Sequence, residues 1–214
     1  FNVGQAWYDF YMHVNPFDPN YAYVGSIDIW RTSDGGTSFQ NITNGYSGGV
    51  VHVDEHNMDF NPVNSNELFA VNDGGVWKST DRGSSWINLN LGLTLTQFYR
   101  IASDPSNADH ILGGTQDNGT NRTTGGINNW ASIYGGDGFY CLVDYNNSQR
   151  VYASSQNGAL VRSTNGGASF VGATSGLDLT YTNWMTPFVM DKNDPLTLYC
   201  GTYRIHKTTN GMVN

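Results

Sequence analysis

Apolar residues along this chain fall in short runs that alternate with turns rich in Gly, Asn and Asp. The stretch Glu67 to Trp86 shows the pattern most clearly, with apolar runs at Leu68–Val71 and Val76–Lys78 on either side of the turn Asp73–Gly75. Two such runs and two turns in so short a stretch predict a hairpin with a second hairpin starting behind it. No window holds a sustained 3.6-residue apolar stripe, so essentially no helix is predicted.

The same unit recurs along the chain. Similar turns lie at Thr32–Phe39, Ser79–Trp86, Thr123–Trp130, Ser163–Phe170 and Thr208–Asn214. Their equivalent positions, 40 to 47 residues apart, are Asp34, Asp81, Gly125, Asn165 and Asn210. A period in that range indicates a repeat architecture.

Each repeat contains four predicted strands. The first ends in Asn or Asp and leads into a turn of Pro and Asn, residues that favour turns because Pro presets φ and Asn bonds its own backbone. Four antiparallel strands per repeat predict an all-β fold built from β-propeller blades, in one domain or fragment spanning 1–214. The expected repeat units are 10–43, 57–90, 98–133, 139–174 and 187–214, with 1–9 as the outer strand of a neighbouring or closing blade.

The composition is typical of short strands and argues against two classes of binding partner. Only 13% of the 214 residues are charged and 26 are Gly. The net charge of -8, with ten Lys plus Arg, argues against nucleic acid or an anionic membrane as a partner. No apolar run approaches the roughly 18 residues that a membrane-spanning helix needs. The two cysteines, Cys141 and Cys200, fall in predicted strands, so two buried thiols are expected, with a disulfide between adjacent sheets as the alternative.

The turn pattern resembles a known motif. Thr32–Phe39 and Ser79–Trp86 are similar to the Asp-box of bacterial-neuraminidase-type (BNR) repeats, found in sialidase-, sortilin- and xyloglucanase-like propellers, whereas the third copy has Gly125 for Asp and Ile127 for Gly. The stretches HVDEHNMDFNP and NDGGVWKSTDRGSSW also resemble large secreted proteins of Bacteroidetes-type bacteria that carry a C-terminal secretion-sorting domain. The resemblance implies a propeller in an extracellular or cell-surface protein.

Asp-box residues are expected to be structural. A carboxylate or amide accepts backbone N–H bonds within the turn, Gly supplies positive φ, and the aromatic packs between sheets. We therefore predict that Asp34 and Asp81 stabilise turns and that Trp86 and Trp130 pack between sheets.

The two ends of the chain match each other. KTTNGMVN followed by FNVG reproduces the pattern RSTNGGASFVG, and the start, which already reads as strand, looks trimmed. Phe1 to Trp7 therefore either closes a ring of five blades, or the chain is part of a longer protein. A piece of a seven-bladed propeller is favoured, because seven or eight blades are usual for the repeats that this chain resembles. More chain would then cover the sheet edges that an open fragment leaves bare.

The candidate site lies where a propeller gathers its loops. Loops that enter each first strand and loops that join strands two and three share one face around the channel mouth. The entry loops place His52, Asp54, His56, Gln97 and Asp137 there, and the inter-strand loops place Asp28, Asp73, Gln116, Asp117, Asn118, Gln156 and Asn157 there. Carboxylates and amides converging from different blades suit a sugar or a hard cation.

A metal is considered at one position. His52, Asp54 and His56 alternate, so an extended backbone would put all three on one face, where they could bind a divalent cation. The stretch Asp117-Asn118-Gly119 offers oxygens for Ca²⁺ but lacks the ligand count of an EF-hand loop. No cofactor is otherwise evident.

Two classes of function follow. The preferred one is a secreted or cell-surface module that binds a glycan or another surface protein, because no carboxylate lies in a distinctive catalytic motif. The alternative is a glycoside hydrolase with an aspartate pair from Asp54, Asp73, Asp117 and Asp137, about 5–5.5 Å or 6.5–9.5 Å apart. Asp73 and Asp137 resemble the catalytic aspartates of xyloglucan-degrading endoglucanases. Sialidase activity is not expected, because sialidases bind the sialate carboxylate with three arginines. Here Arg31, Arg82, Arg122 and Arg162 lie at or beside Asp-box turns, on the face away from the channel mouth, which leaves only Arg100 and Arg204 to reach it.

Overall fold

The computed structural model describes residues 4–93, 95–123, 125–126 and 129–213. These residues form β-strands and two short 3-10 turns, Gly45–Ser47 and Gln156–Gly158. Sheet 1 contains β1 (Tyr11–Val14), β2 (Ala22–Gly25), β3 (Ile29–Thr32) and β4 (Gln40–Asn41). Sheet 2 contains β5 (Glu55–Asn61), β6 (Asn64–Asn72), β7 (Gly75–Ser79) and β8 (Ile87–Asn88). Sheet 3 contains β9 (Phe98–Asp104), β10 (Asn107–Thr115), β11 (Thr120–Thr123) and β12 (Trp130–Tyr134). Sheet 4 contains β13 (Cys141–Asp144), β14 (Asn147–Ser155), β15 (Ala159–Ser163) and β16 (Val171–Gly172). Sheet 5 contains β17 (Phe188–Met190), β18 (Leu198–Gly201) and β19 (Ile205–Thr208).

Every sheet is an antiparallel meander in which each strand pairs with the next one along the chain. Sheets 1 to 4 have four strands, and sheet 5 has three among the described residues. This is the arrangement of propeller blades. The predicted all-β fold of short antiparallel sheets, with almost no helix, is confirmed. Within the described residues, no helix has the length and apolar character needed to cross a bilayer.

The chain divides into two compact units, Phe1–Leu95 with sheets 1 and 2, and Thr96–Asn214 with sheets 3 to 5. In unit 1 an apolar cluster joins the two sheets, with Tyr23 and Ile29 of sheet 1 against Met58 and Leu68 of sheet 2. Each of these four side chains is almost fully buried. Packing between consecutive sheets is therefore what holds the unit together.

Unit 2 shows how one strand serves two such interfaces. In β14, Val151 joins the cluster with Leu112 of sheet 3, while the next residue, Tyr152, joins the cluster with Phe188 and Leu198 of sheet 5. Successive side chains of a strand point to opposite faces. Sheet 4 is consequently buried on both faces, and every residue from Val151 to Ser155 of β14 is buried.

The repeated turns are stabilised by their own side chains. Asp34 accepts bonds from the Ser38 backbone N–H at 2.9 Å and from the Ser38 hydroxyl at 2.6 Å, and Asp81 accepts the same pair from Ser85. The bonds from Ser38, with one from the Thr32 hydroxyl, lower the pKa of Asp34 to about 2. The structural role predicted for Asp34 and Asp81 is confirmed.

The aromatic residues of these turns differ in their surroundings. Trp86 packs against the cluster between sheets 1 and 2, as predicted. The Trp130 ring lies 5.1 Å from that of Phe98, a residue of its own sheet. Ile127, which replaces a turn glycine in the sequence, lies outside the described residues.

Two further expectations are settled. Cys141 and Cys200 are free and buried, so the buried-thiol prediction is confirmed and the disulfide alternative is wrong. Gly4 to Tyr8 form turns instead of the outer strand predicted for 1–9. The first three residues of that segment, Phe1 to Val3, lie outside the described residues.

Candidate functional site

In unit 2 the loops at one end of the sheets are tied together through Asp137, which is 6% exposed. Its Oδ1 accepts the backbone N–H of Asp117 at 2.7 Å, and its Oδ2 accepts the side-chain amide of Gln156 at 2.6 Å. Asp137 lies in the loop that enters β13, whereas Asp117 and Gln156 follow β10 and β14. The predicted convergence of entry loops and inter-strand loops is therefore present in this unit.

The loops approach each other too closely for larger residues. A Cβ added to Gly138 would come within 2.2 Å of the backbone oxygen of Gly119, and one added to Gly119 within 2.3 Å of that of Tyr134. Asp117 and Asn157 have left-handed φ values of 60° and 56°. Glycine is therefore required at positions 119 and 138, where the backbones of neighbouring loops come into contact.

Aromatic rings lie beside these polar groups. The Tyr99 hydroxyl donates to Oε1 of Gln116, and the Tyr99 ring lies 5.1 Å from that of Phe139. Phe139 in turn lies 6.1 Å from Trp184, whose backbone oxygen accepts the N–H of Asn157 at 3.1 Å. Burial, with the nearby Asp137 and Asp117, raises the pKa of Tyr99. Trp184 remains 51% exposed, so one ring of this group faces solvent.

A second aromatic group lies in the loop before β17 and the turn after β18. Tyr181 is 71% exposed and Tyr203 is 53% exposed, and their rings lie 6.0 Å apart, edge to face. The Tyr203 hydroxyl donates to Asp178 at 2.8 Å, and Arg204 lies over the Tyr203 ring. These rings add exposed apolar surface to the same unit.

In unit 1 several of the predicted site residues contact one another or the residues beside them. His56 Nε2 lies 2.5 Å from Oδ1 of Asp73, and the Tyr8 hydroxyl donates to the same oxygen at 3.2 Å. The Gln5 amide nitrogen donates to Asp54 at 2.5 Å. Burial, with the neighbouring Asp73 and Asp9, raises the pKa of Asp54.

The extended backbone assumed for the metal prediction is wrong at Asp54. Asp54 has a left-handed φ of 66°, and β5 begins only at Glu55, so His52, Asp54 and His56 do not follow one extended strand. His52 Nδ1 instead lies 2.9 Å from the backbone oxygen of Val53. Metal binding by these three residues stays a prediction without that support.

The remaining predicted residues lie in their expected loops. Asn118 is held by backbone and side-chain bonds to the carbonyl of Gln116. Gln97 is exposed just before β9. Asp28 accepts the Gly45 backbone N–H at 2.7 Å.

Several residues of these groups escaped the sequence reasoning. Gln5, Asp9 and Glu55 in unit 1, and Tyr99 and Trp184 in unit 2, lie in no sequence motif.

The sequence also contains a repeated pairing, because the residue that ends the first strand of a sheet pairs with the residue six positions later. His110 contacts Asp104 at 2.9 Å, and Arg150 pairs with Asp144.

No protein-family model matches the chain, and no curated protein matches it. Among solved structures, an ancestral GH74 enzyme is similar at 21% identity and a TM-score of 0.40, over 90% of this chain and 27% of that one. The GH74 xyloglucanase from Xanthomonas campestris is similar at 17% identity and a TM-score of 0.45, over 93% and 36%. YCF48 bound to D1 peptide is similar at 10% identity and a TM-score of 0.41, over 90% and 61%. The chain thus spans about a third of the two GH74 structures, and these similarities assign no activity.

Proposed function

We propose that this chain is a propeller module that binds carbohydrate at the loop end of unit 2. The proposal is supported by the exposed ring of Trp184 and by the amides of Gln116 and Gln156 in neighbouring loops. A flat aromatic ring can stack on the apolar face of a sugar, while amides donate to and accept from its hydroxyls. A few placed polar groups beside apolar rings are typical of small-molecule sites.

The observation that carries this proposal is the exposed Trp184 ring beside amide-bearing loops, whereas Asp137 is 6% exposed and accepts one donor of the protein at each oxygen. A glycosidase carboxyl group must be available to protonate the leaving oxygen, to attack the sugar or to activate water. Asp73 is likewise engaged by His56 and Tyr8. These contacts favour binding over hydrolysis. Hydrolysis of a glycosidic bond by Asp73 and Asp137 stays the alternative, with Asp54 and Asp117 as further candidates for the catalytic carboxylates.

An extracellular or cell-surface location is part of the proposal. It is supported by the resemblance of the turns to secreted repeat proteins and agrees with a glycan as the ligand. A surface protein as the partner is the competing outcome of the binding test.

Binding is to be measured by calorimetry against a panel of soluble polysaccharides. Burial of an apolar side chain against a ligand contributes about 1.5–3 kcal/mol to the free energy of binding. Trp184→Ala should therefore weaken binding by about tenfold or more. Phe17→Ala is the matched control, because Phe17 is a 62% exposed aromatic in the turn between β1 and β2. If the wild type binds no polysaccharide, or if Trp184→Ala and Phe17→Ala bind alike, the proposal is wrong.

A further inference from the structure

Consecutive sheets in each unit meet through a polar contact that recurs along the chain. In unit 1 the Tyr23 hydroxyl donates to the backbone oxygen of Arg82 at 3.1 Å, and Arg31 donates to the same oxygen at 2.8 Å. In unit 2 the Tyr152 hydroxyl donates to the backbone oxygen of Gly211 at 3.2 Å. Both acceptors directly follow the Asp or Asn of a repeated turn. Sheet 1 thus holds the turn of sheet 2 by a backbone carbonyl, and sheet 4 holds that of sheet 5 in the same way.

Sheet 5 carries a matching pair of donors on the face that points away from sheet 4. Tyr23 and Arg31 lie opposite each other across β2 and β3, and the corresponding pair across β18 and β19 is Tyr199 and Lys207. The Lys207 ammonium lies over the Tyr199 ring. Leu198, the neighbour of Tyr199 in β18, belongs to the cluster shared with sheet 4. Because side chains alternate along a strand, Tyr199 points away from sheet 4.

The apolar residues beside these donors also correspond, but their exposure differs. Two residues beyond the tyrosine, β2 and β3 pair Gly25 with Ile29, and β18 and β19 pair Gly201 with Ile205. Ile29 is 0% exposed in the cluster with sheet 2, whereas Ile205 is 80% exposed. Sheet 5 therefore repeats an inter-sheet surface whose apolar part is exposed. We call it the front face of sheet 5 and define it by Val189, Tyr199, Ile205 and Lys207.

Sheet 1 carries the complementary kind of surface. Phe188 of β17 packs toward sheet 4, and Met12 holds the corresponding position in β1, because each is paired with the residue that follows the tyrosine of the second strand. Tyr11, the neighbour of Met12, lies in the cluster with sheet 2, so Met12 points away from sheet 2. Phe188 is 1% exposed, whereas Met12 is 65% and Val14 is 52% exposed. We call this surface the back face of sheet 1 and define it by Met12, Val14, Ala22 and Val24.

We propose that the front face of sheet 5 binds the back face of sheet 1 in a second copy of this chain. The backbone oxygen of Gly35 in that copy accepts from Tyr199 and Lys207, because Gly35 directly follows Asp34 and so holds the position that Arg82 holds in sheet 2. Burial of the exposed apolar residues of both faces supplies the driving force. Since the two faces differ, each copy binds one partner at each face, and the copies associate head to tail.

The test is sedimentation velocity of the chain from micromolar to millimolar concentration, a readout that does not depend on carbohydrate binding. The mass of the wild type should rise above that of a monomer. Ile205→Asp places a carboxylate on the front face of sheet 5, and Met12→Asp places one on the back face of sheet 1. Each variant alone should stay monomeric with an unchanged circular dichroism spectrum. Val63→Asp is the matched control, because Val63 is 86% exposed in the turn between β5 and β6, and it should associate as the wild type does.

Mixing the two aspartate variants separates this arrangement from nonspecific association. Ile205→Asp retains the face that Met12→Asp has lost, and the reverse also holds, so the mixture should form a complex of two chains and nothing larger. Tyr199→Phe keeps the test decisive if an aspartate variant fails to fold. It removes only the hydroxyl and should weaken association by about two- to tenfold. A wild type that is monomeric at every concentration, a mixture that stays monomeric, or a Tyr199→Phe variant that associates as tightly as the wild type would each overturn the proposal.

Discussion

Replacing Asp137 distinguishes a structural carboxylate from a catalytic one. Asn in its place keeps one oxygen that can accept the Asp117 N–H, but presents an NH₂ group to the donor of Gln156. One hydrogen bond to a charged group is lost, and such bonds contribute about 1.5–3 kcal/mol each. Asp137→Asn should therefore lower the free energy of unfolding by about 1.5–3 kcal/mol, and Asp137→Ala by about 3–6 kcal/mol, since both bonds disappear.

Urea unfolding followed by circular dichroism measures this change, with the free energy extrapolated linearly to water. Gln156→Ala removes one of the two bonds and leaves the carboxylate in place. The double variant Asp137→Asn with Gln156→Ala should cost less than the sum of the single changes, because the two residues are in direct contact. Asp109→Asn, at an exposed position of β10, is the control.

A different outcome would refute the reasoning. If Asp137→Asn changes the free energy of unfolding by less than about 0.5 kcal/mol, the usual range for a surface substitution, the carboxylate does not hold the loops together. If, in addition, the wild type releases sugar and Asp137→Asn does not, Asp137 is catalytic.

Three further predictions follow from particular contacts. Burial opposes ionisation of Asp104, but bonds from His110, Ser106 and Ser148 outweigh burial and lower the pKa of Asp104 below its ordinary value. The stability that this carboxylate contributes is therefore present above about pH 4 and is lost as the pH falls below it. In Asp104→Asn, the urea midpoint should accordingly depend less on pH in the acid range. Cys141 and Cys200 are buried, and burial raises the pKa of Cys141 to about 12, so Ellman's reagent should label neither in the native protein and both in urea; rapid native labelling would contradict this. Leu68 is 0% exposed between sheets 1 and 2, so Leu68→Ala should cost about 2–5 kcal/mol in urea unfolding, and a change well below 1 kcal/mol would place it outside a packed core.

The sheets were predictable because local chemistry marks them. Turns such as Ser79–Trp86 depend on side chains that bond their own backbone within four residues, as Asp81 does with Ser85. Alternation within the strands then determines which side chains meet the neighbouring sheet. The segment 1–9 escaped this reasoning, because an aromatic-rich start resembles a strand, although Gly4 to Tyr8 form turns.

The loops of the candidate site were predictable, but its aromatic members Tyr99 and Trp184 and the role of each residue were not. Topology brings Asp137, Gln116 and Gln156 to one end of unit 2, since entry loops and inter-strand loops share that end. The bond between Asp137 and the backbone of Asp117 joins residues twenty positions apart, and no spacing rule specifies such a contact. Glu55 was missed because a single acidic residue in a strand pattern gives no sign that its side chain is fully buried.

The most direct test is to measure binding and sugar release in the same samples of wild-type protein over a broad polysaccharide panel. Carbohydrate binding by the loop end of unit 2 predicts saturable heat with at least one polysaccharide, no increase in reducing ends, and weakened binding in Trp184→Ala. Steady release of reducing ends that Asp137→Asn eliminates, at unchanged unfolding free energy, would contradict it.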